Sequence, residues 1–132
     1  MITKFRKVKI SDERYESANF FDVDGDGILD IVSGGFWYKG PHFTQRFKIG
    51  DIAEHGEYYD DFSTIPLDIN GNGRLDFITG GWWGGSLRWR ENPEDPTKEW
   101  KEHLIGEMKN VETTRAWDVD GDGQLEIVPN VP

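Results

Sequence analysis

Asp22-Val-Asp-Gly-Asp-Gly-Ile-Leu-Asp30 puts acids at its first, third, fifth and ninth positions and glycines at its fourth and sixth. The segment returns as Asp68-Ile-Asn-Gly-Asn-Gly-Arg-Leu-Asp76 and as Asp118-Val-Asp-Gly-Asp-Gly-Gln-Leu-Glu126. Their starts lie 46 and 50 positions apart, a period that belongs to repeat architectures. Each copy runs into a short apolar pair, Ile31-Val32, Phe77-Ile78 or Ile127-Val128. The first two continue into Gly34-Gly35-Phe36-Trp37 and Gly80-Gly81-Trp82-Trp83. A further segment, alternating apolar and polar and ending in Ile plus a small residue, recurs at Phe5 to Ser11, Thr44 to Gly50 and Trp100 to Gly106. That alternation is the mark of a half-exposed strand.

Laid end to end, one unit reads as strand A (Ala18 to Val23), the acidic loop, strand B (Leu29 to Ser33), strand C (Phe36 to Lys39) and strand D (Phe43 to Ile49). No segment holds a 3.6-residue apolar period, so the chain is expected to be all-β. Four short antiparallel strands at this period predict the blades of a β-propeller rather than a β-sandwich, which has no reason to repeat. The expected layout is an orphan strand D over 1–11, one blade over 12–50, a second over 51–106, and a partial blade of strands A and B over 107–132. This is an incomplete propeller of two full blades, since 4 to 8 close a ring. Two expectations follow: a piece of a longer chain, or a homo-oligomer whose copies complete one another.

The composition agrees. Of 132 residues, 16 are Gly and 18 are aromatic (6 Trp, 4 Tyr, 8 Phe), a balance that favours turns and strands. The net charge of -10 has the wrong sign for nucleic acid or an anionic membrane. No apolar run reaches a membrane span, no signal peptide is visible, and the absence of Cys excludes disulfide and thiolate chemistry.

Ca²⁺ takes 6 to 8 oxygens, and a loop with oxygens at positions 1, 3 and 5, a Gly at 6 and a backbone carbonyl at 7 suits it. Up to three Ca²⁺ are expected. Asp22, Asp24, Asp26 and Asp30 supply side chains in the first loop with the Ile28 carbonyl; Asp68, Asn70, Asn72 and Asp76 in the second with the Arg74 carbonyl. Asp118, Asp120, Asp122 and Glu126 act in the third with the Gln124 carbonyl. A metal-free hairpin turn explains one Asp-Gly cluster but not three copies in register. Position 12 is Ser33, Thr79 or Pro129, so the bidentate Glu of an EF-hand is missing, and the octahedral demand of Mg²⁺ suits the loops less well. Ten of the 25 acids lie in these loops, so three Ca²⁺ would move the charge from -10 to -4. With only two carboxylates, the second loop is expected to bind weakest.

These segments resemble the FG-GAP (VCBS-type) repeat, found in the β-propeller heads of integrin α subunits and in many bacterial secreted proteins. The resemblance implies a calcium-bearing blade, a non-enzymatic structural or interaction scaffold, and an extracellular or cell-surface setting. Glu126 departs from the usual Asp. The run Trp89-Arg90-Glu91-Asn92-Pro93 resembles the strand C ending of bacterial members, some of them polysaccharide lyases, so the alternative is part of a carbohydrate-active enzyme. The implied topology places the calcium loops on one face and any polysaccharide or protein ligand on the other. Candidates there are Trp37, Trp82 and Trp83 from B-to-C connections and Arg115 from a D-to-A connection. The competing role for the tryptophans is packing between blades. His55 with Tyr58 or Tyr59 would be the base and acid of a uronate lyase.

Overall fold

The β-branched and aromatic pairs that follow the first two acidic loops lie on inner strands of four-stranded antiparallel sheets, and the pair after the third lies in a two-stranded one. A computed structural model describes residues 3–132. The first sheet runs β1 (Asn19–Phe21), β2 (Asp30–Ser33), β3 (Phe36–Tyr38) and β4 (Arg46–Lys48), each strand beside the next in sequence. A two-stranded hairpin follows, β5 (Glu54–His55) and β6 (Tyr58–Tyr59). The second four-stranded sheet runs β7 (Ile65–Leu67), β8 (Asp76–Gly80), β9 (Ser86–Glu91) and β10 (Lys101–Glu107). A final pair comprises β11 (Thr113–Trp117) and β12 (Glu126–Asn130). The described residues are all-β and form no closed barrel; the two four-stranded sheets have the order of propeller blades.

Register carries the repeat through the three sheets that hold an acidic loop. Phe21 pairs with Asp30, Leu67 with Asp76 and Trp117 with Glu126, so each acidic loop is closed by one ladder position. Next out, Trp37 stands opposite Phe47 and stacks on it at 4.6 Å; at the same place in the second sheet Trp89 stands opposite His103, at 4.3 Å.

The core lies between the two blades. Phe21, Val23, Val32, Trp37 and Ile49 pack with Phe77 and Trp100, all at most 4 % exposed. Polar ties cross the same seam. Asn92 is fully buried and its Nδ2 donates to Val23 O at 2.8 Å and to Leu75 O at 3.2 Å; Trp100 N–H donates to Ile49 O at 2.8 Å. A physical role thus falls to the Asn of the Trp-Arg-Glu-Asn-Pro run: it joins the ends of two loops across a blade boundary. The innermost strands β1, β7 and β11 lie side by side.

One expected element is absent. Met1 and Ile2 fall outside the described residues, but Phe5 to Ile10 forms no strand, and Phe5 is 93 % exposed. The reason is the lack of a ladder: no strand among the described residues stands beside it, and a lone strand leaves its N–H and C=O groups to water. Strand B of the first blade begins at Asp30 and strand D at Arg46, both later than expected. The hairpin β5–β6 has no counterpart among the strands expected from sequence.

Candidate functional site

Each acidic loop is wound by its own first residue. Asp22 Oδ1 accepts from Gly25 N–H at 2.8 Å and Asp26 N–H at 3.2 Å, and Oδ2 from Gly27 N–H at 2.8 Å. Asp68 accepts from Asn72 and Gly73, and Asp118 from Gly121 and Gly123, at 2.7 to 3.0 Å. This winding needs left-handed backbone at the fourth and sixth positions. Gly25 and Gly27 have φ of 75° and 84°, Gly71 and Gly73 73° and 83°, Gly121 and Gly123 82° and 90°. Only glycine takes that conformation without steric cost.

The ninth position clamps each loop. Asp30 Oδ2 accepts from Val23 N–H at 2.8 Å and Oδ1 from Gly40 N–H at 2.8 Å, tying the loop to the end of β3. Asp76 does the same with Ile69 N–H (3.1 Å) and Asn92 N–H (2.8 Å). Glu126, one methylene longer, still reaches Val119 N–H at 2.7 Å. Burial pushes the Asp30 and Asp76 carboxyls above the ordinary carboxylate range, against the pull of these N–H donors.

Oxygens of Asp22, Asp24 and Asp30 come within 4.8 Å of one another, as do those of Asp118, Asp120 and Asp122. The second loop, with Asn70 and Asn72, forms no such trio of acids. Asp24 Oδ1 is buried and has no hydrogen-bond partner. Lys39, from the end of β3, sets its ammonium against Asp24 Oδ2 and, at 2.8 Å, Asp26 Oδ2; hydrogen bonding to Asp24 and then Asp26 raises the lysine pKa. The three loops are therefore alike in backbone and different in charge. Their oxygen sets fit a hard divalent cation, and the orphaned Asp24 oxygen is the kind of group such an ion satisfies. A groove of about 210 Å³ separates the first loop from the second, lined by Asp22, Asp24, Arg74 and Glu94.

The candidate ligand residues separate into two sets. Trp37 cannot face a ligand: it is 1 % exposed, stacked on Phe47, and its Nε1 donates to Pro96 O at 2.9 Å. Its place on a central strand facing the next blade turns it inward. Trp83 instead lies in the β8–β9 connection and is 41 % exposed. His55 stacks on it at 4.9 Å and 14°, with Tyr58 at 5.6 Å and Phe62 at 5.9 Å. Trp82 and Tyr59 are half-buried, Tyr59 edge-on to Tyr15 at 4.9 Å. Arg115, exposed on β11, bonds to Thr113 Oγ1 and Thr114 O and lines a separate cleft of about 510 Å³ among β1, β7 and β11.

Sequence reasoning missed what fixes the Trp83 platform. Asp60, 2 % exposed, accepts from Trp83 N–H at 3.0 Å and Gly84 N–H at 2.9 Å, while its carbonyl accepts from Arg88 Nη2 at 3.1 Å. A Cβ on Gly81 would overlap the Asp60 carboxylate. The adjacent Asp-Asp pair was the available signal, since two acids before a β-rich Ser-Thr-Ile run need partners if they are buried.

Antiparallel blades with a wound acidic loop between their first two strands define a β-propeller-like repeat scaffold. Residues 68–128, from the first Asp of the second loop to β12, match the family model of the FG-GAP-like repeat. Residues 68–128 therefore carry an FG-GAP-type repeat. Comparison with curated proteins and with solved structures gave no match.

Proposed function

We propose that the chain is a non-enzymatic, calcium-stabilised interaction scaffold in which each acidic loop holds one Ca²⁺. The observation that carries this reading is the common winding of three loops, each closed by its own first Asp and turned by glycines at the fourth and sixth positions, with oxygen donors kept in register. Asp22, Asp24, Asp26 and Asp30 would hold the ion in the first, Asp68, Asn70, Asn72 and Asp76 in the second, Asp118, Asp120, Asp122 and Glu126 in the third. Carbonyls of Ile28, Arg74 and Gln124 would complete the sets. A bound ion supplies charge neutralisation where carboxylates otherwise repel, and so cross-links the two strands that each loop joins. Equilibrium dialysis with metal analysis is the test: up to three Ca²⁺ per chain are expected, and none would overturn the reading. An extracellular or cell-surface location, where Ca²⁺ is abundant, goes with it.

The exposed stack of His55, Tyr58 and Trp83 favours a second part of the reading, a carbohydrate platform on which a pyranose ring lies against Trp83. Retention on immobilised neutral and acidic polysaccharides is expected for the chain and lost in Trp83→Ala. Equal retention of the two would reject the platform. Turnover of an acidic polysaccharide in the same assay would instead favour the lyase, with His55 and Tyr58 at its centre.

A further inference from the structure

The residue at the end of the third strand of each blade sits against the acidic loop of that blade, and it differs in sign between the two. Tyr38 pairs with Ile31 as Arg90 pairs with Phe77; Gly40 N–H and Asn92 N–H bond the ninth-position aspartates identically, at 2.8 Å. Lys39 and Glu91, the residues between, are thus structural equivalents. Lys39 places its ammonium between Asp24 and Asp26. Glu91 places Oε1 3.2 Å from Asn70 Nδ2 and is held there by His103, whose Nε2 lies 2.7 Å from Oε2.

We infer that Lys39 and Glu91 level the cation affinities of the first two loops, Lys39 as a built-in competitor and Glu91 as an added carboxylate. The inference rests on the calcium reading above. Four carboxylates less the Lys39 ammonium leave three net negative charges at the first loop; Asp68, Asp76 and Glu91 give three at the second. Arg74 does not restore the difference, because it forms no ion pair among the described residues and its Nε donates to Asn92 O at 3.0 Å. Loop sequence alone ranks the second site far below the first; with the strand ends included, the two become comparable. The third loop has four carboxylates and no side-chain cation against them among the described residues, so it is the tightest.

The lysine has a physical logic beyond balance. Without metal, the loop's carboxylates, three of which converge, repel one another, and an ammonium on a flexible stem can offset that repulsion and then swing into solvent when a divalent ion arrives. The first loop then has part of its charge balanced at low Ca²⁺, whereas the third does not.

A site-resolved Ca²⁺ titration tests this, following the amide signals of Gly27, Gly73 and Gly123 in the full chain. Lys39→Gln is expected to tighten the first site about tenfold and Glu91→Gln to weaken the second about tenfold, each leaving the third unchanged. Lys39→Arg keeps the charge and is expected to stay within about threefold of the parent, which separates charge from packing. Calcium-dependent shifts with unaltered affinities in both Gln variants would overturn the inference and leave the calcium reading standing. The absence of shifts at any loop of the parent would overturn both.

Discussion

Asp61 shows how a single buried acid can set a pH dependence for the whole chain. It is 1 % exposed; Oδ1 accepts from Glu16 N–H at 3.1 Å, and Oδ2 has no partner. Burial pushes its pKa up to about 7, from 3.8 for the free group. The folded chain therefore holds this proton more tightly than the unfolded one. Its favourable contribution is complete below the unfolded value and is lost as pH rises from about 4 to 7. Asp61→Asn, which keeps the acceptor for Glu16 and cannot ionise, is expected to flatten that fall. At pH 8 and fixed Ca²⁺ it should gain on the order of 2 kcal/mol over the parent by urea unfolding. A gain that is equal at pH 4.5 and pH 8 would show that the charge is not the cause.

The acidic loop is the element on which the repeat turns, and its glycines are its most exacting positions. Gly27 has φ of 84°, and a Cβ at this position would point into open space, so a substitution there meets backbone strain and no clash. Gly27→Ala is expected to cost about 1–2 kcal/mol in thermal or urea unfolding. A Gly81→Ala change should cost more, because the Asp60 carboxylate occupies the space of the new Cβ. The loops and the two blades were legible in the sequence because glycine and aspartate spacing encodes backbone winding directly, and apolar pairs mark the strands that follow. The hairpin β5–β6 was not, since its strands are the polar or exposed pairs Glu54-His55 and Tyr58-Tyr59, held by neighbours rather than by their own pattern. A strand over Phe5 to Ile10 was expected from alternation alone, and alternation supplies no partner strand. Trp37 and Trp83 looked alike because each follows a Gly-Gly pair. Burial was decided by one difference, that Trp37 lies within a strand facing the next blade and Trp83 in a connection beyond it. Lys39 and Glu91 were invisible as partners of the loops because their role depends on how β3 and β9 fold back over them.

At the scale of the whole molecule, a chain with a charge of -10 holds its blades together through one apolar seam and a few buried polar ties. The seam ends at the loops: Val23 and Leu75, inside the first and second loops, both give their carbonyls to Asn92. Loop order and blade packing are therefore coupled, so a cation that fixes the loops should stabilise the assembled blades and not the loops alone. For a site with a Kd of about 10 μM, Ca²⁺ at about 1 mM contributes roughly 2.7 kcal/mol by mass action. The most direct test is thermal unfolding of the chain followed by tryptophan fluorescence, which reports the buried Trp37 and Trp100, in Ca²⁺ and then in excess EDTA. A melting temperature several degrees higher in Ca²⁺, with the difference abolished in the combined Asp24→Ala, Asn70→Ala and Asp120→Ala variant, is the expected result; superimposable melts of the parent chain in Ca²⁺ and EDTA would contradict the account.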